Sequence, residues 1–187
     1  SEMCIRDRSK KERLQEAALR LFAERGYHLT SVDDLVAQAR TSKSAFYEFY
    51  ASKEECLCEL LAEQGGALMQ AVISATAGAE GHRDRMRLGI RTFVSSCSRQ
   101  PRLARLLLVE SVGVSVSVEA IRHQLHDRFA QMVEAEARRA AAEDPHYADV
   151  DPVVFGRAVV GAVHEASGHF LAQEDGGDPE RLAQGLC

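Results

Sequence analysis

The residues best placed to do chemistry fall into two groups. Ser42, Lys43, Ser44 and Ala45 open a short stretch of helical pattern with small polar and basic side chains. Small side chains let a backbone approach base edges and phosphates, and a helix start offers free N–H groups to phosphate oxygens. The second group is histidines. His164-Glu165 with His169 invites a metalloenzyme reading, but zinc-binding HExxH places its histidines four apart on one face. Here they are five apart, about 140° round a helix. His123 and His126 are three apart with no third ligand in view, and they read as surface histidines on a charged helix. No serine, cysteine or carboxylate set suggests catalysis, and there is no glycine-rich phosphate loop. The expectation is therefore no enzyme, no metal and no cofactor.

Positioning these groups falls to helices. The 187 residues are 45% apolar with a net charge of −5. Residues 1–55 balance ten Lys/Arg against ten Asp/Glu, so the acidity lies in 56–187 and the first part is free to present a basic face. No apolar run approaches the roughly 18 residues of a membrane span. Cys4, Cys56, Cys58, Cys97 and Cys187 form no CxxC pair, which fits reduced thiols in a cytoplasmic protein. The first helix is expected from about Ser9 to Glu24, with Leu14, Ala17, Ala18, Leu21 and Phe22 on one face and Gly26 at its end. Thr30 or Ser31 caps a second short helix, Arg40-Thr41 makes a tight turn, and Ser42 caps a third helix to about Phe49. Ser52-Lys-Glu-Glu55 is a capping box launching a long fourth helix. Further helices are expected over 82–98, 101–110, 118–143 and 151–173. Val112–Val118 alternates like a strand but has no partner, and is expected to be a loop entering a helix. The spacing of the first three helices is that of a helix-turn-helix, whose third helix enters the major groove.

The run from Thr30 to Glu55, with the preceding Ala-Leu-Arg-Leu-Phe-Ala-Glu-Arg-Gly-Tyr27, resembles the DNA-binding domain of the TetR family of regulators. The resemblance covers about 47 residues; the rest agrees in helix count and length. It implies backbone contacts from Thr30 and Ser31, a recognition helix starting at Ser42 and Lys43, and base-facing Ser44 and Ala45. It also implies phosphate contacts from Tyr47 and Lys53. Arg40 stands where the family usually has glycine, so the turn is reshaped or Arg40 gains a phosphate contact. Tyr50 replaces a usual phenylalanine and is placed with the DNA-facing set; Ala51 replaces a usual proline.

The fold expected is all-α, an N-terminal three-helix helix-turn-helix domain followed by a helical-bundle ligand-binding and dimerisation domain. Residues 1–8 would be a disordered or non-native leader, 9–53 the DNA-binding domain, and 54–187 the ligand-binding and dimerisation domain, truncated at its C-terminus. The resemblance implies a pocket for a small, largely apolar effector, with Met69, Phe93, Cys97, Leu107, Phe129, Met132 and His164 as candidate lining. The last full helix is apolar on two faces, so one would pack inward and the other against a second copy. Gly156, Val160, Val163, Ser167, Phe170 and Leu171 are the expected interface of a two-fold homodimer. The function expected is a regulator that binds double-stranded operator DNA, a repressor released from a palindromic operator by its ligand. The alternative is an all-helical dimeric interaction module, or a metal-binding protein, without DNA-binding activity.

Overall fold

A computed structural model describes the backbone of residues 2–171 and 179–186, with side chains from Lys10 onward except those of Leu171 and Glu180. Among the described residues there is no strand. The helices are α1 (Glu2–Arg25), α2 (Val32–Gln38), α3 (Lys43–Phe49), α4 (Lys53–Thr76), α5 (His82–Arg99), α6 (Pro101–Arg105), α7 (Val116–Glu143), α8 (Pro152–Leu171) and α9 (Pro179–Leu186). A π-helical turn, Leu106–Glu110, continues α6, and a 3₁₀ turn, Pro145–Tyr147, follows α7.

The local signals explain most boundaries. Gly26 has φ 83° and its N–H reaches the Phe22 carbonyl at 3.1 Å, ending α1 in the left-handed conformation that glycine tolerates. Ser52 accepts from the Glu55 N–H at 3.0 Å to open α4. Asp151 accepts from the N–H groups of Val153 and Val154 at 2.9 and 3.1 Å to open α8. Ser115 caps α7, so residues 112–115 form the loop and the helix starts two residues before the expected Val118. α1 begins at Glu2 rather than Ser9; no glycine or proline interrupts residues 2–8, so nothing stops the helix there.

α1, α2, α3 and the start of α4 close on Leu14, Phe22, Leu35, Phe46, Leu57 and Leu61, all within 1% of full burial. Burying each such side chain contributes about 1.5–3 kcal/mol. Leu106 of the π-turn and Val118 of α7 belong to the same core. Behind it, α7 packs along α8, α4 lies against α5 and α7, and α9 covers α5. No described helix is long and apolar enough to cross a membrane.

Candidate nucleic-acid interface and internal cavity

α2 is fixed by a reciprocal cap. Ser31 Oγ accepts from the Asp34 N–H at 3.1 Å, and the Asp34 carboxylate accepts from the Ser31 N–H at 2.8 Å. Bonds from the Ser31 hydroxyl and N–H hold the Asp34 carboxyl below the usual carboxylate range. After α2 the chain turns in a Schellman arrangement. Arg40 N–H meets the Ala37 carbonyl at 3.2 Å, and Thr41 N–H meets the Val36 carbonyl at 2.9 Å. Arg40 takes φ 50°, the left-handed conformation that a glycine would adopt freely and that costs arginine about 1 kcal/mol. Ser42 Oγ then accepts from the Ala45 N–H at 3.2 Å and starts α3.

α3 divides cleanly into two faces. Ala45 and Phe46 are buried against the core, while Lys43, Ser44, Tyr47 and Glu48 face solvent. Tyr47 is 56% exposed, and Lys43 makes an exposed ion pair with Asp33 at 2.8 Å. That bond raises the Lys43 pKa. Ser31, Arg40, Ser42, Lys43, Ser44 and Tyr47 therefore present one solvent-facing strip. Three other expected contact residues do not join it. Thr30 is 0% exposed, and its hydroxyl donates to the Gly26 carbonyl at 2.9 Å, so its polar atom is used to close the turn after α1. The Ala45 methyl is buried because position three of this short helix points at the core. Tyr50 is 1% exposed, its ring 5.4 Å from that of Phe46, and burial pushes its phenol well up.

Lys53 serves the fold directly. Its ammonium donates to the carbonyls of Tyr27 and Thr30, both at 2.8 Å, and stands 4.0 Å from the centre of the Tyr27 ring. It ties the first turn of α4 to the loop between α1 and α2. Burial holds its pKa below the ordinary lysine value.

A cavity of about 430 Å³ lies among α4, α5, α7 and α8, within the range of about 300–1,000 Å³ usual for ligand sites. Of the expected lining residues, Phe93, Cys97, Leu107, Phe129, Met132 and His164 face it. Met69 does not; it is 4% exposed and packs elsewhere in the core. Phe93 and Phe129 meet edge to face with centroids 5.8 Å apart. The sequence reading missed Arg122 and His126, which also line the cavity. Their signal was present: positions 122, 125, 126, 129, 132 and 133 form one stripe on α7, and a charged residue within it points inward with the rest. His123 does lie on the surface, but His126 faces inward and stacks edge-on to His164 at 4.4 Å. Among the described residues no group of three or more His, Cys, Asp or Glu could hold a metal ion.

Three of the six residues expected at the partner face of α8, Gly156, Val163 and Ser167, are buried within the chain. Gly156 is buried, and a methyl added there would stand 2.6 Å from the Ala130 carbonyl oxygen, so this glycine seats α8 on α7 within one chain. Val163 and Ser167 are buried, and Val160 and Val163 line the cavity. Phe170 is half-buried, and the Leu171 side chain lies outside the described residues. The outward side carries Val154, Phe155, Ala158, Gly161 and Ala162, with Val154 65% exposed.

Residues 14–65 match the family described as bacterial regulatory proteins, tetR family. The chain is 41% identical over 54 residues to the HTH-type transcriptional regulator YuxN of Bacillus subtilis, a match spanning 29% of this chain and 19% of that protein. It is 26% identical over 132 residues to the HTH-type transcriptional activator FasR of Mycolicibacterium smegmatis, spanning 66% of this chain and 60% of that one. The chain thus spans less than two thirds of the length of these curated relatives. In fold it is similar to the transcriptional regulator FadR from Bacillus subtilis, whose structure is a complex with stearoyl-CoA. The TM-score is 0.84 at 16% identity, over 94% of each chain. A helix-turn-helix head on a helical bundle is the class of fold this defines. Within that fold, residues 14–65 are the part that resembles the tetR family of bacterial regulatory proteins.

Proposed function

We propose that this chain is a cytoplasmic, ligand-responsive transcriptional regulator that grips double-stranded operator DNA as a homodimer. The observation that carries the reading is the solvent-facing strip of Ser42, Lys43, Ser44 and Tyr47 on α3, backed by a buried Ala45–Phe46 face that holds it rigid. Lys43 and Tyr47 meet phosphates, and Ser44 approaches base edges. Arg40, on the exposed turn, adds a further phosphate contact. Two copies joined through the outward side of α8 (Val154, Phe155, Ala158, Gly161 and Ala162) would read half-sites about 34–36 Å apart on a palindrome.

The cavity takes a small, largely apolar effector. The stearoyl-CoA complex of the FadR neighbour supports an acyl chain as the class of molecule. α4 runs from the head, where Lys53 holds the Tyr27 and Thr30 carbonyls, to the cavity wall at Gly65, Leu68 and Val72. A ligand that favours a wider seating of α4 shifts the population away from the DNA-bound state by its differential affinity for the two states, and no further. Release of DNA on ligand binding makes the protein a repressor.

The test is a gel shift on DNA upstream of the protein's own coding region at two salt concentrations. Affinity falls steeply with salt as phosphate contacts are lost, and Ser44→Ala changes the sequence preference. Absence of any specific shift refutes the regulator reading. A shift that strengthens with acyl ligand makes the protein an activator instead.

A further inference from the structure

The cavity is apolar through its middle and polar at both ends, and one end carries unpaired groups. Leu125, Phe129 and Met132 form the middle. At the end stand Arg122 and His126, one helical turn apart on α7, and His164 from α8. Two buried atoms there have no hydrogen-bond partner: Arg122 Nε and His164 Nε2. A buried polar atom left unpaired costs free energy comparable to a lost hydrogen bond, and such an exception calls for a partner that the chain does not supply.

The charges at this end cancel. Arg122 donates through Nη1 to both oxygens of Glu119 at 2.9 Å, and its side chain is only 12% exposed. His164 is neutral near pH 7, because burial, His126 and Arg122 push its pKa down to about 4. Burial and Arg122 lower that of His126 too. A carboxylate brought here would be a buried charge without a counter-ion, which is costly. An uncharged oxygen suits such vacancies instead. A carbonyl accepts from Arg122 Nε–H and from His164 Nε2–H; a hydroxyl accepts from Arg122 and donates to His164 in its other tautomer. The remote end differs: Arg85 and Arg139 are both already bound to Glu136, at 2.7 and 2.9 Å.

We propose that Arg122 and His164 recognise an uncharged oxygen, a carbonyl or a hydroxyl, carried by the otherwise apolar effector. This rests on the reading of the cavity as the effector site and adds the polar group that the effector must bear.

Four seven-carbon probes test it by titration calorimetry on the full chain at neutral pH: heptane, 2-heptanone, 2-heptanol and heptanoate. The ketone or the alcohol should bind about tenfold or more tightly than heptane, the value of one well-made buried hydrogen bond, and more tightly than heptanoate. In His164→Phe the preference over heptane should shrink while heptane affinity holds. Equal binding of heptane and the oxygenated probes, or tightest binding of heptanoate, overturns the inference and leaves the apolar cavity standing. Failure of all four to bind overturns the effector-site reading and the inference with it.

Discussion

Replacing Lys53 with methionine keeps the apolar stem and deletes the ammonium. Two hydrogen bonds from a charged donor are lost, to the Tyr27 and Thr30 carbonyls at 2.8 Å each. Each such bond contributes about 1.5–3 kcal/mol. The contact with the Tyr27 ring at 4.0 Å adds about 0.5–1 kcal/mol. Against this stands the burial that lowers the Lys53 pKa, since removing a partly desolvated charge returns some free energy. The balance is a loss of about 2–3 kcal/mol. For a chain of this size that lowers the thermal midpoint by roughly 5–10 °C. Circular dichroism melts and urea titrations at fixed protein concentration measure it, with the urea slope unchanged. A loss under about 0.5 kcal/mol would refute the clamp. DNA binding gives a second readout. The ammonium has three donors, and two are spent on carbonyls, so one remains for a phosphate. If it is used, Lys53→Met flattens the salt slope by about one unit; a slope unchanged alongside lost stability means Lys53 acts only by fixing the turn before α2.

Two further outcomes follow from packing and protonation. Gly156→Ala forces the α7 and α8 backbones apart and should cost about 1–3 kcal/mol in urea unfolding. Gly161→Ala meets nothing within 4 Å; it should leave the fold intact and weaken self-association in sedimentation, and unchanged association would remove that side of α8 from the interface. Acid should destabilise the protein in a defined window. The His164 pKa falls from an ordinary 6.5 to about 4 on folding, so between these values the unfolded chain binds the extra proton. Stability is therefore lost as pH falls from about 6.5 towards about 4, by on the order of 3 kcal/mol. In His164→Phe, urea midpoints across this window should fall less steeply; an identical pH profile would show that His164 is not held neutral.

The helices were legible because their signals are local. Ser42, Ser52 and Asp151 cap where the sequence places them, Ser31 rather than Thr30 caps α2, and Gly26 ends α1 with a positive φ. Arg40 shows the limit from the other side: the turn wants a left-handed residue, and arginine adopts that conformation rather than reshaping the turn. What was not legible depends on distant partners. α8 is apolar nearly all round, so its pattern does not choose the inward face. The choice is made by Gly156, where a missing side chain lets the α7 backbone close in. Thr30 and Tyr50 carry polar groups beside the exposed strip, and only the packed core reveals that both are turned away from it. His126 sits among charges in the chain, yet its ring turns inward to the cavity wall and meets that of His164.

The π-helical turn at Leu106–Glu110 joins two interiors. Leu106 is sealed into the core of the head, while Leu107 and Leu108, the next two residues, form part of the cavity wall. Nearby, Arg102 on α6 grips Glu24 on α1 at 2.8 Å. Head and bundle are thus masonry with a common brick rather than two blocks on a string. The seat of α1 and the chamber wall are therefore one peptide step apart, a link separate from the long span of α4.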